Sequence, residues 1–127
     1  MIQHYLNSTY RRYGRGPHTY DCWGLVREAR AELFGKSLLA SYGDIDPDDK
    51  RSLTGAAGEV NGRLRLVGPV PGAIAQGWRG RLCIHVGIVV EVDGRRWILE
   101  TGQSMGPVLT RIRDFESQYL KVMYYDD

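Results

Sequence analysis

Between Leu82 and Thr101 the chain reads LCIHVGIVVEV, then Asp93-Gly94, then RRWILET. No other stretch narrows the possible folds as far. Asp-Gly between two apolar-rich runs is the strongest short signal for a two-residue β-hairpin, because both turn positions need a positive φ. With Asp93 and Gly94 as that turn, Val92 pairs with Arg95, Glu91 with Arg96, and so on to Gly87 with Glu100. Side chains alternate along a strand. Cys83, His85, Gly87 and Val89 are therefore expected on one face, and Ile84, Val86, Ile88 and Val90 on the other. His85 is a titratable residue in the middle of an apolar strand. Gly87 removes bulk from the same face, which would let another element approach closely.

The rest of the chain divides into helices first and strands after. Residues 2–13 predict a helix, with Tyr5, Leu6 and Tyr10 at helical spacing. GRGPH at 14–18 is a loop. Asp21 reads as an N-cap for a helix from Cys22 to Phe34, with Leu25, Val26, Ala29 and Leu33 on its apolar stripe and Gly35 ending it. Residues 37–46 look irregular. Asp46, Pro47, Asp48 and Asp49 predict the start of a further helix that fades by Gly58 or Gly62. From Leu66 the pattern turns to strands, including 107–112 and 119–125. Helices followed by strands imply an α+β fold in which N-terminal helices pack on an antiparallel sheet. A length of 127 residues suits a single domain over residues 1–127.

Cys22 opens its predicted helix. A thiol in the first turn sits at the positive end of the helix dipole, among free N–H groups, and both favour thiolate. The same position on the apolar stripe also suits a small buried hydrophobe. His85 separates the two readings, since a cysteine with a histidine to take its proton is a nucleophile. The hairpin register places Glu100 diagonally across from His85, where a carboxylate would orient the imidazole and stabilise imidazolium. A one-residue slip would turn Glu100 away, and Gln103 would then be the substitute.

Composition narrows the partners. There are 17 basic and 15 acidic residues, for a net charge of +2, which is too balanced to argue for nucleic acid. Arg11, Arg12 and Arg15, then Arg79 and Arg81, then Arg95 and Arg96 form clusters that suit either a solvated surface or docking on an anionic face. No apolar run is long enough for a membrane span. The first residues lack the apolar block of a secretory signal, so synthesis in the cytoplasm is expected.

The stretches GRGPHTYDCWGLVREA, HVGIVVEVDGRRWIL and PVLTRIRDF resemble the NlpC-type cell-wall cysteine peptidases, and in particular the branch found in tail-tip assembly proteins of long-tailed bacteriophages. The resemblance covers nearly the whole chain, including YGDIDPDD. It implies a circularly permuted papain-like fold and hydrolysis of the bond between D-glutamate and a diamino acid in peptidoglycan stem peptides. It also implies Cys22 as nucleophile and His85 as base, with no cofactor. Peptidoglycan peptides and other tail-tip proteins are the implied partners, and the implied location is a virion tail acting at the bacterial wall. Trp23 stands where the general family often has serine, and fits the phage branch. Glu100 stands where histidine, asparagine or glutamine is usual. Asp21 is implied as both cap and contact for a substrate amine. Tyr20 and Trp23 are further candidates for lining the substrate cleft, packing being the other role open to Tyr20.

Two other functions remain open at this level. One is a structural tail-tip protein with the same fold and impaired chemistry. The other is a metal site made from Cys22, Cys83, His85 and Glu100. The single-residue spacing of Cys83 and His85 and the lack of a CxxC pair argue against it.

Overall fold

The computed structural model describes residues 1–127. Helix α1 (Ile2–Leu6) and two short strands, β1 (Thr9–Tyr10) and β2 (Thr19–Tyr20), lead into α2 (Cys22–Phe34) and α3 (Lys50–Asn61). Six strands follow: β3 (Arg65–Val67), β4 (Ile74–Arg79), β5 (Leu82–Val92), β6 (Arg95–Gly102), β7 (Gly106–Arg111) and β8 (Lys121–Asp126). A short helix α4 (Ile112–Ser117) lies between β7 and β8. These six strands form one sheet in the order β3-β8-β4-β5-β6-β7, and every pairing is antiparallel. The fold is mixed α+β, as the order of helices and strands predicts. No helix is long and apolar enough to cross a membrane.

Helix α2 runs over the expected residues. The Asp21 carboxylate accepts from the Gly24 amide at 2.8 Å, and Gly35 ends the helix at a φ of 63°. Its stripe of Leu25, Val26 and Ala29 packs with Ala57 and Val60 of α3 onto Ile74, Val86, Ile88, Val90 and Leu99 of the sheet. A smaller core on Ala73, Ala75, Val89 and Ile98 is closed by Phe115 and Tyr124. The β5–β6 hairpin has the predicted register, with Val92 opposite Arg95 and Asp93 at a φ of 53°.

Several local expectations change. The first helix stops at Leu6, because Thr9 and Tyr10 instead pair in parallel with Thr19 and Tyr20. The third helix begins at Lys50, capped by Asp49, which accepts from the Ser52 amide and hydroxyl. Asp46 closes the preceding turn, accepting from the Asp48 amide through its carboxylate and the Asp49 amide through its carbonyl. Strand β4, unforeseen in the sequence, occupies the middle of the sheet between β8 and β5.

A β-bulge overturns the expected face of Cys83. Gly77 pairs with His85 but Trp78 pairs with Cys83, leaving Ile84 as an extra residue. An extra residue resets the alternation of side chains. Cys83 therefore joins the core under α2 and α3 rather than sharing a face with His85. Gly87 also serves a purpose other than the expected one. A Cβ there would lie 2.5 Å from Ile98 Cγ2, so the glycine makes room for a neighbour on β6, not for the cysteine helix.

Candidate functional site

The β5–β6 ladder ends at the pair Ile88–Leu99, although both strands continue. In this unladdered stretch the His85 imidazole meets Glu100 of β6 and the N-terminal turn of α2. His85 Nε2–H donates to Glu100 Oε1 at 2.8 Å. Nδ1 is left as the nitrogen able to serve the Cys22 thiol. Burial works to lower the His85 pKa. Hydrogen bonds to Cys22 and to Glu100, and the charges of both, outweigh it and raise the value from 6.5 to about 9. The histidine side chain keeps 16% of its surface exposed and Glu100 only 3%. The Glu100 carboxyl is thus buried with the imidazole as its partner, and none of the nearby arginines reaches it: Arg96 donates to the Pro69 carbonyl instead. Gln103 lies on the exposed turn between β6 and β7, beyond β6, and is not the group holding His85.

The start of α2 supplies free donors. The Gly24 amide goes to the Asp21 carboxylate and the Leu25 amide to the Asp21 carbonyl. The first two amides, of Cys22 and Trp23, have no acceptor within the helix. Asp21 is itself held. Arg15 Nη1 donates to its carboxylate at 2.7 Å and to the Gly14 carbonyl, while Nε and Nη2 donate to the carbonyls of Ser41 and Tyr42. Arg15 is therefore no part of a solvated cluster. It ties the 41–42 loop to the first turn of α2, a role its place in a run of arginines hid. Arg12 does face outward, pairing with Asp48 at 2.6 Å and Asp46 at 3.5 Å.

A narrow cleft opens beside Cys22, bounded by Arg15, Asp21, Trp23, Tyr42 and the α3 residues Ala56 and Ala57. Trp23 gives its indole N–H to the Ala40 carbonyl at 3.0 Å and turns its ring toward Tyr42. Tyr20 is not at the cleft edge. It is fully buried, with its hydroxyl donating to Glu28 and lying 3.1 Å from His4 Nε2. Burial and the Glu28 hydrogen bond push its pKa well above the usual phenol value. Packing against α1 and α2 is its role.

Cys83 has quite different neighbours. Its amide donates to Thr54 Oγ1 at 2.8 Å, and its thiol points to the His85 carbonyl at 3.7 Å. Burial pushes its pKa up to about 12. No group of three or more His, Cys, Asp and Glu side chains is arranged to hold a metal ion. Comparison with family models, curated proteins and solved structures found no match.

Proposed function

We propose that this protein is a cysteine peptidase of circularly permuted papain-like architecture that hydrolyses peptidoglycan stem peptides. The observation that carries the reading is His85, held at Nε2 by a buried carboxylate and facing the thiol that opens helix α2. That is the order nucleophile, base, orienting group of thiol and serine hydrolases. The bond between D-glutamate and a diamino acid, and action at a phage tail tip, follow from the motif resemblance alone.

In this reading His85 takes the thiol proton, and the Cys22 thiolate attacks the scissile carbonyl. The Cys22 and Trp23 amides stabilise the oxyanion that forms. His85 then protonates the leaving amine, and water hydrolyses the acyl-enzyme with His85 again acting as base. Glu100 holds the imidazole and stabilises its protonated form. The Trp23 ring forms part of the cleft wall, while Asp21, buried and paired with Arg15, holds the first turn of α2 rather than meeting a substrate amine.

Incubation with purified peptidoglycan fragments tests this, wild type beside Cys22→Ala, with products identified by mass. Cleavage by the wild type alone is the expected result. Fragments left intact by the wild type would contradict the reading and favour a structural tail protein with the same fold.

A further inference from the structure

Two aromatic rings cover His85 from a part of the chain outside the nucleophile and its partners. Phe115 of α4 and Tyr119 just beyond it lie 6.2 Å and 6.5 Å from the imidazole, centroid to centroid. The Tyr119 ring is nearly parallel to the imidazole, at 17°, and packs on Phe115 at 5.1 Å. The Tyr119 ring is thus stacked on the imidazole, while both pairs with Phe115 are tilted. The opposite strand is shaped for the tyrosine. Gly77 of β4 pairs directly with His85, and a Cβ on Gly77 would lie 2.7 Å from the Tyr119 ring. The β-bulge falls at the same point, between Gly77 and Trp78. A glycine across from the histidine thus leaves the space that the tyrosine ring fills.

We propose that Tyr119 is a positioning residue for His85, its ring fixing the plane of the imidazole and screening the His85–Glu100 hydrogen bond from water. This rests on the reading of Cys22, His85 and Glu100 as the reacting set. One hydrogen bond at Nε2 anchors the imidazole at one end, but the terminal torsion of histidine is broad and leaves the ring free to rock. A flat neighbour removes that freedom. Excluding water also strengthens a charged hydrogen bond, because the local dielectric falls. The charged and titratable groups facing the imidazole are Cys22 from α2 and Glu100 from β6; Arg79 of β4 and Cys83 of β5 act on Tyr119. Burial pushes the Tyr119 phenol up to about 12, so it stays neutral beside the imidazolium. The ring, not the hydroxyl, carries the role.

NMR titration of His85 in wild type, Tyr119→Phe, Tyr119→Ala and Gly77→Ala tests the proposal without a substrate. Tyr119→Phe should titrate as wild type does. Tyr119→Ala removes the ring and Gly77→Ala displaces it, so both should lower the His85 pKa toward 6.5. On peptidoglycan fragments the same two variants should lose on the order of 10²-fold in kcat, as expected for a misplaced catalytic group, with KM nearly unchanged. Should Tyr119→Ala fail to fold, Tyr119→Leu keeps apolar bulk without a flat face and is expected to show the same lowered pKa. A wild-type His85 pKa in the folded variants overturns the proposal. If the wild type cleaves no cell-wall peptide, the functional reading fails, while the titration still decides the place of Tyr119.

Discussion

The two cysteines occupy regions that look alike by burial and differ in everything else. Cys22 is 5% exposed and Cys83 is 0% exposed, and both pack into the same core. Cys22 begins a helix, beside two free amides and a histidine that a carboxylate holds. Cys83 lies within a strand, its amide taken by Thr54 and its thiol directed at a carbonyl. Burial penalises the thiolate at Cys83. What separates the sites is whether neighbouring groups compensate the charge, and only the helix start offers such groups. Solvent exposure therefore does not separate the two thiols, whereas the identity of their neighbours does.

The contrast can be broken at several points. Cys22→Ala should remove all but a trace of hydrolysis, on the order of 10⁴-fold or more, because the acyl-enzyme can no longer form. Turnover of peptidoglycan fragments measures it. Glu100→Ala should cost on the order of 10²–10⁴-fold, and Glu100→Gln less, since glutamine keeps the acceptor but not the charge. Near-full activity in Glu100→Ala would mean that another group orients His85.

Arg15→Ala probes the helix start through stability. It leaves the buried Asp21 carboxylate without its guanidinium, and chemical denaturation should show a loss of about 3 kcal/mol, the low end for a broken buried pair because Arg15 keeps some exposure. The pH dependence follows from His85. Its pKa is higher in the folded chain than the unfolded value of 6.5, so the stabilisation is full below 6.5 and is lost as pH rises through about 9. Wild-type stability should fall across that window more steeply than that of Glu100→Gln, and kcat/KM should decline on the alkaline side near pH 9 as imidazolium is lost. The smallest effect belongs to Cys83→Ala, which removes one small buried group and should keep most of the activity.

The parts of the fold that local signals specify were legible in the sequence. Asp21 and Gly35 bracket α2 by capping chemistry, and Asp93-Gly94 fixes the register that carries Glu100 to His85. What escaped prediction depends on partners distant in sequence. Strand β4 reads IAQGWR, where Gln76 and Gly77 interrupt the apolar run; Gln76 is tolerated because Asn61 of α3 pairs with its amide. The bulge at Ile84 has no sequence mark, yet it moves Cys83 to the other face. Tyr10 leaves the first helix for a two-residue pairing with Tyr20 that no periodicity announces. Arg15 reaches the carbonyls of Ser41 and Tyr42, and Tyr119 reaches His85 and Gly77, all more than twenty positions away, so neither stood out as part of the site.

The central claim is that neighbours, not exposure, make Cys22 the reactive thiol. Alkylation of the folded protein at neutral pH, with the modified residue identified by mass, tests it most directly. Rapid labelling of Cys22, slowed in Glu100→Ala, with Cys83 unlabelled until the chain unfolds, is the predicted result. Labelling of both cysteines only on unfolding, or of Cys83 first, would contradict it.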